Sequence, residues 1–288
     1  MLMRSSLVTL VAACALIAAG CVGGGGSGNG SGGGGGPGGT GSNSQAASHI
    51  ILDLLTGQQI VVGDIGDLGS NNSYRDSFMV FRWVPGGSFE KGTRPGVMGA
   101  TYPDEGVSQR EVDGFYLGVF EVTQSQWNHL IDGRQAWQQV SPSSEVGSTA
   151  TTGGLPAFAL SLDVVNTMLL DTNHPLRLPT ADEWEYAAKA GRDCLFSWGD
   201  NINAVEANAV LRESINAAGA QVVGRRNRSP FGLYDMHGNV WEWTDEGQLR
   251  GGSWADNAFI ARAANKVDYP ISDAGFHGCV GVRLILER

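Results

Sequence analysis

The chain has 288 residues, 19 Lys and Arg against 29 Asp and Glu for a net charge of −10, and 43 glycines. That length allows one large domain or two small ones, and the acidic balance, with no extended Lys/Arg run, leaves no electrostatic footprint for nucleic acid or an anionic membrane surface. With 42% hydrophobic residues there is enough apolar surface for a sizeable core, so the excess of glycine must be local.

Residues 1–20 read as a signal peptide: Arg4 gives the positive start, Leu7 to Ala19 the apolar stretch, and Ala18-Ala19-Gly20 the small residues before Cys21. The apolar run is too short for an ordinary membrane span. Small residues followed by cysteine resemble a bacterial lipobox, although Ala18 stands where Leu is usual; the resemblance implies lipidation of Cys21. Val22 to Ala47 is almost entirely small and polar and cannot bury enough apolar surface to offset chain entropy. Residues 21–47 are thus a lipidated cysteine and a flexible tether with a reach on the order of 25–30 Å. The expectation is an exported protein, anchored to the membrane through lipid alone, at the outer membrane and the cell surface.

Residues 48–288 read as one domain. Ile50-Ile51-Leu52 and Ile60-Val61-Val62 flank Thr56-Gly57, and Phe78 to Phe81 leads through Trp83-Val84 into the turn Pro85-Gly86-Gly87. Thr123-Gln124-Ser125-Gln126 and Thr180-Ala181-Asp182-Glu183 fit the capping box that opens a helix. Ser161 to Leu170 carries Val164, Val165, Met168 and Leu169 at helical spacing, with Asp163 in the first turn. After Gly191 the pattern becomes irregular, and Trp198, Trp241, Trp243 and Trp254 sit in Gly/Asn-rich surroundings, which predicts aromatic side chains covering long loops. The expected class is α+β, rich in irregular structure.

Five stretches carry a family resemblance: Phe81-Arg82-Trp83-Val84-Pro85-Gly86-Gly87-Ser88-Phe89; Phe120-Glu121-Val122-Thr123; Arg177 to Ala188; Phe231 to Trp243; and Leu249-Arg250-Gly251-Gly252-Ser253-Trp254. Together they resemble the formylglycine-generating-enzyme, or sulfatase-modifying factor, family, which implies an expanded C-type lectin fold. Its oxidase branch needs two cysteines shortly after the Gly-Gly-Ser motif to bind copper. Here the window Ala255 to Ala261 holds no sulfur, and Asp256 and Ala261 stand in their place. A sulfoxide-forming branch needs an iron site rich in histidine, but His49, His129, His174, His237 and His277 lie far apart with no ligand spacing. No catalytic residue and no required cofactor is assigned, and a formylglycine-generating-type metal-dependent oxidase is the alternative.

Neither a Gly-x-Ser-x-Gly elbow nor a phosphate-binding loop is present. The carboxylates Asp182, Glu183 and Glu185 are explained by the start of a helix. Asp235 and Glu242 match a family position for structural calcium, with the carbonyls of Gly238 and Val240 between them; a buried hydrogen-bond network around Glu242 is equally compatible with Trp241-Glu242-Trp243.

The C-terminal segment resembles the variable proteins of diversity-generating retroelements, of the spirochaete lipoprotein type, in which a hypervariable ligand-binding stretch is framed by scaffold residues. The frame corresponds to Gly251-Gly252-Ser253-Trp254, Ala258, Ala261 to Asn265, Pro270 and Gly281-Val282-Arg283-Leu284. The resemblance implies a variable segment at about 255–280, with ligand-binding positions Ala255, Asp256, Asn257, Phe259, Val267, Asp268, Tyr269, Ser272, Ala274, Phe276, His277 and Cys279. Every residue between the frame posts is one that adenine mutation of Asn codons reaches, Lys266 beside the frame excepted. Large aromatics mixed with short polar residues suit a binding surface. The partner implied is an unidentified ligand, a protein or other cell-surface molecule, and not nucleic acid. Cys14 leaves with the signal peptide and Cys21 takes lipid, so Cys194 and Cys279 remain; a varied position does not suit a structural bridge, and both are expected as free thiols.

Overall fold

In the computed structural model, residues 48–66, 68–97, 105–131, 153–215, 219–268 and 278–288 are described, and residues 45–288 form one compact unit. The first apolar run is β1 (His49–Asp53), which turns into β2 (Gln59–Val62) because the Asp53 carboxylate accepts from the amides of Leu55 and Thr56 at 2.8 and 3.3 Å. β3 (Phe78–Val84) follows, then the hairpin β4 (Gly87–Lys91) and β5 (Ser108–Val112), and β6 (Phe115–Gly118). With β7 (Leu176–Arg177) and the last strand, β12 (Ile285–Leu286), these build a six-stranded sheet in the order β2-β1-β3-β6-β12-β7. Every neighbouring pair in it is antiparallel. The C-terminal strand is therefore interior, and the residues just before it are pulled into the core.

All three expected helices form. α1 (Gln124–Leu130) opens on the Thr123 box, with Gln126 N donating to Thr123 Oγ1 at 3.2 Å and Thr123 N to Gln126 Oε1 at 3.0 Å. α2 (Leu162–Asp171) starts at Ser161, whose hydroxyl accepts from Val164 N. α3 (Ala181–Lys189) opens on the reciprocal Thr180–Glu183 pair and ends where Ala190 takes a left-handed φ of 52°. A single turn, α4 (Val205–Asn208), follows.

The region after Gly191 corrects the sequence reading. Trp198 and Trp254 lie in loops, but Trp241 and Trp243 belong to β8 (Trp241–Trp243). This strand sits inside a second sheet with β9 (Gln248–Arg250), β10 (Lys266–Asp268) and β11 (Val280–Gly281), in the order β10-β9-β8-β11. The β8–β11 pair is parallel and the others antiparallel. All three residues of β8 are buried, so the alternation that marks a half-exposed strand is absent.

The largest core cluster joins the two sheets to α1 and α2, through Ile50, Phe81, Trp127, Leu160, Val165, Trp243, Leu249 and Val282. A second cluster places Trp184 and Tyr186 of α3 against Val84, Phe115, Leu117 and Ile285. Among the described residues no helix is long and apolar enough to cross a membrane.

Candidate binding site

The segment after β9 is held by its frame. Gly251 and Gly252 have φ of +91° and +74°, conformations that side chains rarely adopt. A Cβ on Gly251 would also come within 3.0 Å of the Trp184 ring and 3.2 Å of the Met236 carbonyl. Ser253, fully buried, donates from both N and Oγ to Asp256 Oδ2 at 3.0 and 2.6 Å. Asn257 Oδ1 accepts from Ile260 N at 3.2 Å, and Ala258 N donates to Glu213 Oε1 at 2.9 Å. Ala258 and Ala261 turn inward against Phe196 and Leu211.

His237 ties this turn to the loop beside it. Ser197 N donates to His237 Nε2 at 2.9 Å. Nε2 is thus an acceptor, and Nδ1 carries the proton that goes to the Ala261 carbonyl at 2.7 Å. Burial pushes the imidazolium down to a pKa of about 4, so the ring is neutral. Arg262 reaches across to the β4–β5 hairpin region: its guanidinium meets both oxygens of Glu105 at 2.7 and 3.0 Å and Thr93 Oγ1 at 2.9 Å. Its Nε holds the Phe259 carbonyl at 2.8 Å, and Asn265 Nδ2 holds that of Ile260 at 2.7 Å.

Burial separates the two residue classes. Gly251 to Trp254, Ala258, Ala261 to Asn265 and Gly281 to Leu284 are all buried. Ala255, Asp256, Asn257, Phe259, Ile260, Val267 and Cys279 are half-buried, and Asp268 is exposed. Gly278 and Val280 are the described residues between frame posts that are buried. Ile260, Val267 and Cys279 lean on the main core with part of their surface, Val267 pairing with Leu249 and the Cys279 carbonyl accepting from Trp241 N at 2.7 Å. Asp256 and Asn257 have a second task as caps of their own turn, which spacing did not reveal. Tyr269, Ser272, Ala274, Phe276 and His277 lie outside the described residues, as does Cys21.

Beneath the segment, Arg283 is buried in a dense polar network. Its guanidinium bonds both oxygens of Glu242 at 2.7 to 3.0 Å and the carbonyls of Gly118, Val119 and Tyr234, while Trp184 Nε1 donates to Glu242 Oε2 at 2.6 Å. Glu121 accepts from Asn239 Nδ2 at 2.5 Å and Val240 N at 3.0 Å. Burial, with Asp235 and Glu242 nearby, lifts its pKa well above the usual carboxylate range. Asp235 accepts from Gly224 N through Oδ2 at 2.6 Å, and its Oδ1 is buried without a partner. The expected calcium position at Asp235 and Glu242 does not fit these residues: both Glu242 oxygens face a guanidinium, which repels a cation. Among the described residues no group of three or more His, Cys, Asp and Glu is placed to hold a metal.

The two positions at which the oxidase branch would carry cysteine have these surroundings. Asp256, at one expected cysteine position, is engaged by Ser253, and Ala261, at the other, is fully buried. Cys194 and Cys279 are not joined in a disulfide, and burial pushes the Cys194 thiol pKa up, away from the nucleophilic thiolate.

Comparison with known proteins places this architecture. The sulfatase-modifying factor enzyme 1-like domain matches residues 70–288. The formylglycine-generating enzyme of Mycobacterium tuberculosis is 41% identical over 78 residues, 24% of this chain and 26% of that one. The inactive C-alpha-formylglycine-generating enzyme 2 of Mus musculus is 36% identical over 101 residues, 28% of this chain and 32% of its own. The chain thus spans about a quarter to a third of these curated relatives. Among solved structures, PvdO from Pseudomonas aeruginosa superposes with a TM-score of 0.63 at 22% identity, covering 73% of this chain and 94% of that one. Treponema denticola variable protein 1 gives 0.58 at 20% identity, covering 77% and 98%. At such identities the likeness is one of fold, shared by enzymes and by proteins named inactive or variable. From the match over residues 70–288 and the expanded lectin-like architecture together, this chain belongs to the sulfatase-modifying factor enzyme 1-like family.

Proposed function

We propose that this protein is a non-catalytic, surface-displayed lipoprotein that binds a ligand through a diversified segment, residues 255–280, on a rigid lectin-like scaffold. The observation that carries the reading is the division of burial along one continuous stretch. Frame residues are locked by glycine geometry, by Arg262 with Glu105 and by Arg283 with Glu242, while among the described residues Ala255, Asp256, Asn257, Phe259, Ile260, Val267, Asp268 and Cys279 keep part of their surface in solvent. Such a division lets the intervening residues change at less cost to the fold than the frame, since changes at partly exposed positions disturb stability less than loss of a buried, paired group. The lack of cysteines at the expected copper positions supports a binding role over oxidation. The lipid on Cys21 and the tether after it hold the domain at the membrane surface, where the partner is a protein or another cell-surface molecule.

The neighbouring DNA tests this reading. Sequencing the locus is expected to find a near-copy of the codons for residues 255–281 with adenine-rich Asn codons at the positions between frame posts, beside a reverse transcriptase gene. A locus with neither overturns diversification as the origin of the segment.

A further inference from the structure

The loop that His237 ties to Ala261 also lines an open cavity of about 830 Å³, bounded by the start of β1, the middle of β3 and the loops 192–198 and 227–232. In a chain with ten excess negative charges, its lining carries three arginines, Arg82, Arg192 and Arg228, and a single carboxylate, the exposed Asp64. Arg82 is fixed by two carbonyls, Nε to Phe231 and Nη1 to Ser48, each at 3.2 Å, which leaves Nη2 for the cavity. Arg192 is anchored on the Ser197 carbonyl. Among the described residues none of the three is in an ion pair.

We propose that this cavity binds a hydroxylated organic anion, a sugar acid or a sugar phosphate, whose oxyanion is held by Arg82, Arg192 and Arg228. Guanidinium forks match the planar or tetrahedral oxygens of carboxylate and phosphate. The volume is that of a small-molecule site and exceeds what a bare anion fills. The rest of the wall suits a hydroxylated body rather than an apolar one. Asn227 bonds Asn208 Oδ1 through Nδ2 at 3.3 Å and keeps its own carbonyl oxygen to accept a hydroxyl. Trp198 is a rigid flank, stacked on Phe196 at 4.6 Å and 3° with its Nε1 held by the Asn201 carbonyl. His49 backs the site: its Nδ1 is taken up by the Gly63 carbonyl at 3.0 Å, leaving Nε2 as the free ring atom. Burial, and the charges of Arg82 and Arg228 against that of Asp64, hold its pKa below the ordinary value. None of these residues belongs to the variable segment, so the site is constant while the other varies.

Titrating the full chain with glucuronic acid, glucose 6-phosphate, glucose and inorganic phosphate, by calorimetry and by NMR of the histidine ring protons, tests the proposal. Either sugar anion is expected to bind, with glucose and inorganic phosphate each weaker by about tenfold or more. The exposed changes Arg192→Gln and Arg228→Gln, combined, are expected to weaken the sugar anion by about tenfold or more with an unaltered melting transition. Saturation is expected to raise the His49 pKa, because the anion offsets Arg82 and Arg228 and favours the imidazolium. Absence of binding by both sugar anions, equal binding of glucose or of bare phosphate, unchanged affinity in the double variant, or an unmoved His49 titration would each overturn it.

Discussion

His237 sits uncharged between two elements, its Nε2 accepting from the Ser197 amide and its Nδ1–H committed to Ala261. Protonation of Nε2 would turn that acceptor into a donor facing another donor, at a buried position where the added charge is poorly solvated. Because the folded pKa is depressed to about 4 from 6.5, the unfolded chain binds the extra proton first as pH falls. Stability is full above pH 6.5 and declines from there toward pH 4, by an amount of about 3 kcal/mol. Chemical denaturation across this range is expected to show that slope in the wild type and a flatter one in His237→Gln; equal slopes would mean that other groups carry the acid sensitivity. Nothing in the spacing of the five histidines announces this role, since the contact joins positions 40 and 24 residues away. The same limit hid the Arg283–Glu242 pair, whose members were visible as motif residues but whose contact spans 41 positions, and the two-pronged Arg262–Glu105 bond across 157.

Helices were legible in the sequence because their signals are local. At Thr180 the cap satisfies Glu183 N, and Glu183 reaches back to Thr180 N at 2.8 Å while also meeting Arg177 at 2.7 and 2.8 Å. Burial acts to raise the Glu183 pKa, but the bonds from Arg177 and Thr180 prevail and hold it low. Thr180→Ala is expected to cost about 1 kcal/mol, read as a lower denaturant midpoint with unchanged slope; no loss would show that Arg177 and Glu183 fix the α3 start unaided. The short strands β8, β9, β10 and β11 were not legible. With two or three residues each, they are too brief for a period to register, and they exist because the second sheet covers the main core with Trp243 and Leu249.

For the whole molecule, the family motifs mark buried positions: Gly251-Gly252-Ser253-Trp254 and Gly281-Val282-Arg283-Leu284 are all buried. The arginine-lined cavity escaped the sequence reading because its walls come from positions 48 to 232. The one local hint was Arg225-Arg226-Asn227-Arg228, a cationic cluster in an acidic chain. The central claim, a tolerant segment on an intolerant frame, is tested most directly by thermal melting. One variant carries simultaneous changes at Asp256, Asn257, Val267, Asp268, Tyr269, Ser272, Phe276 and His277; another carries Arg262→Ala alone. Loss of the Asp256 and Asn257 caps is expected to cost the multiple variant about 2 kcal/mol, a fall of roughly 4–8 °C in Tm with a cooperative transition retained. Arg262→Ala leaves Glu105 buried without its partner and is expected to cost more, about 3–5 kcal/mol. A multiple variant that melts below Arg262→Ala, or without a cooperative transition, would contradict the account.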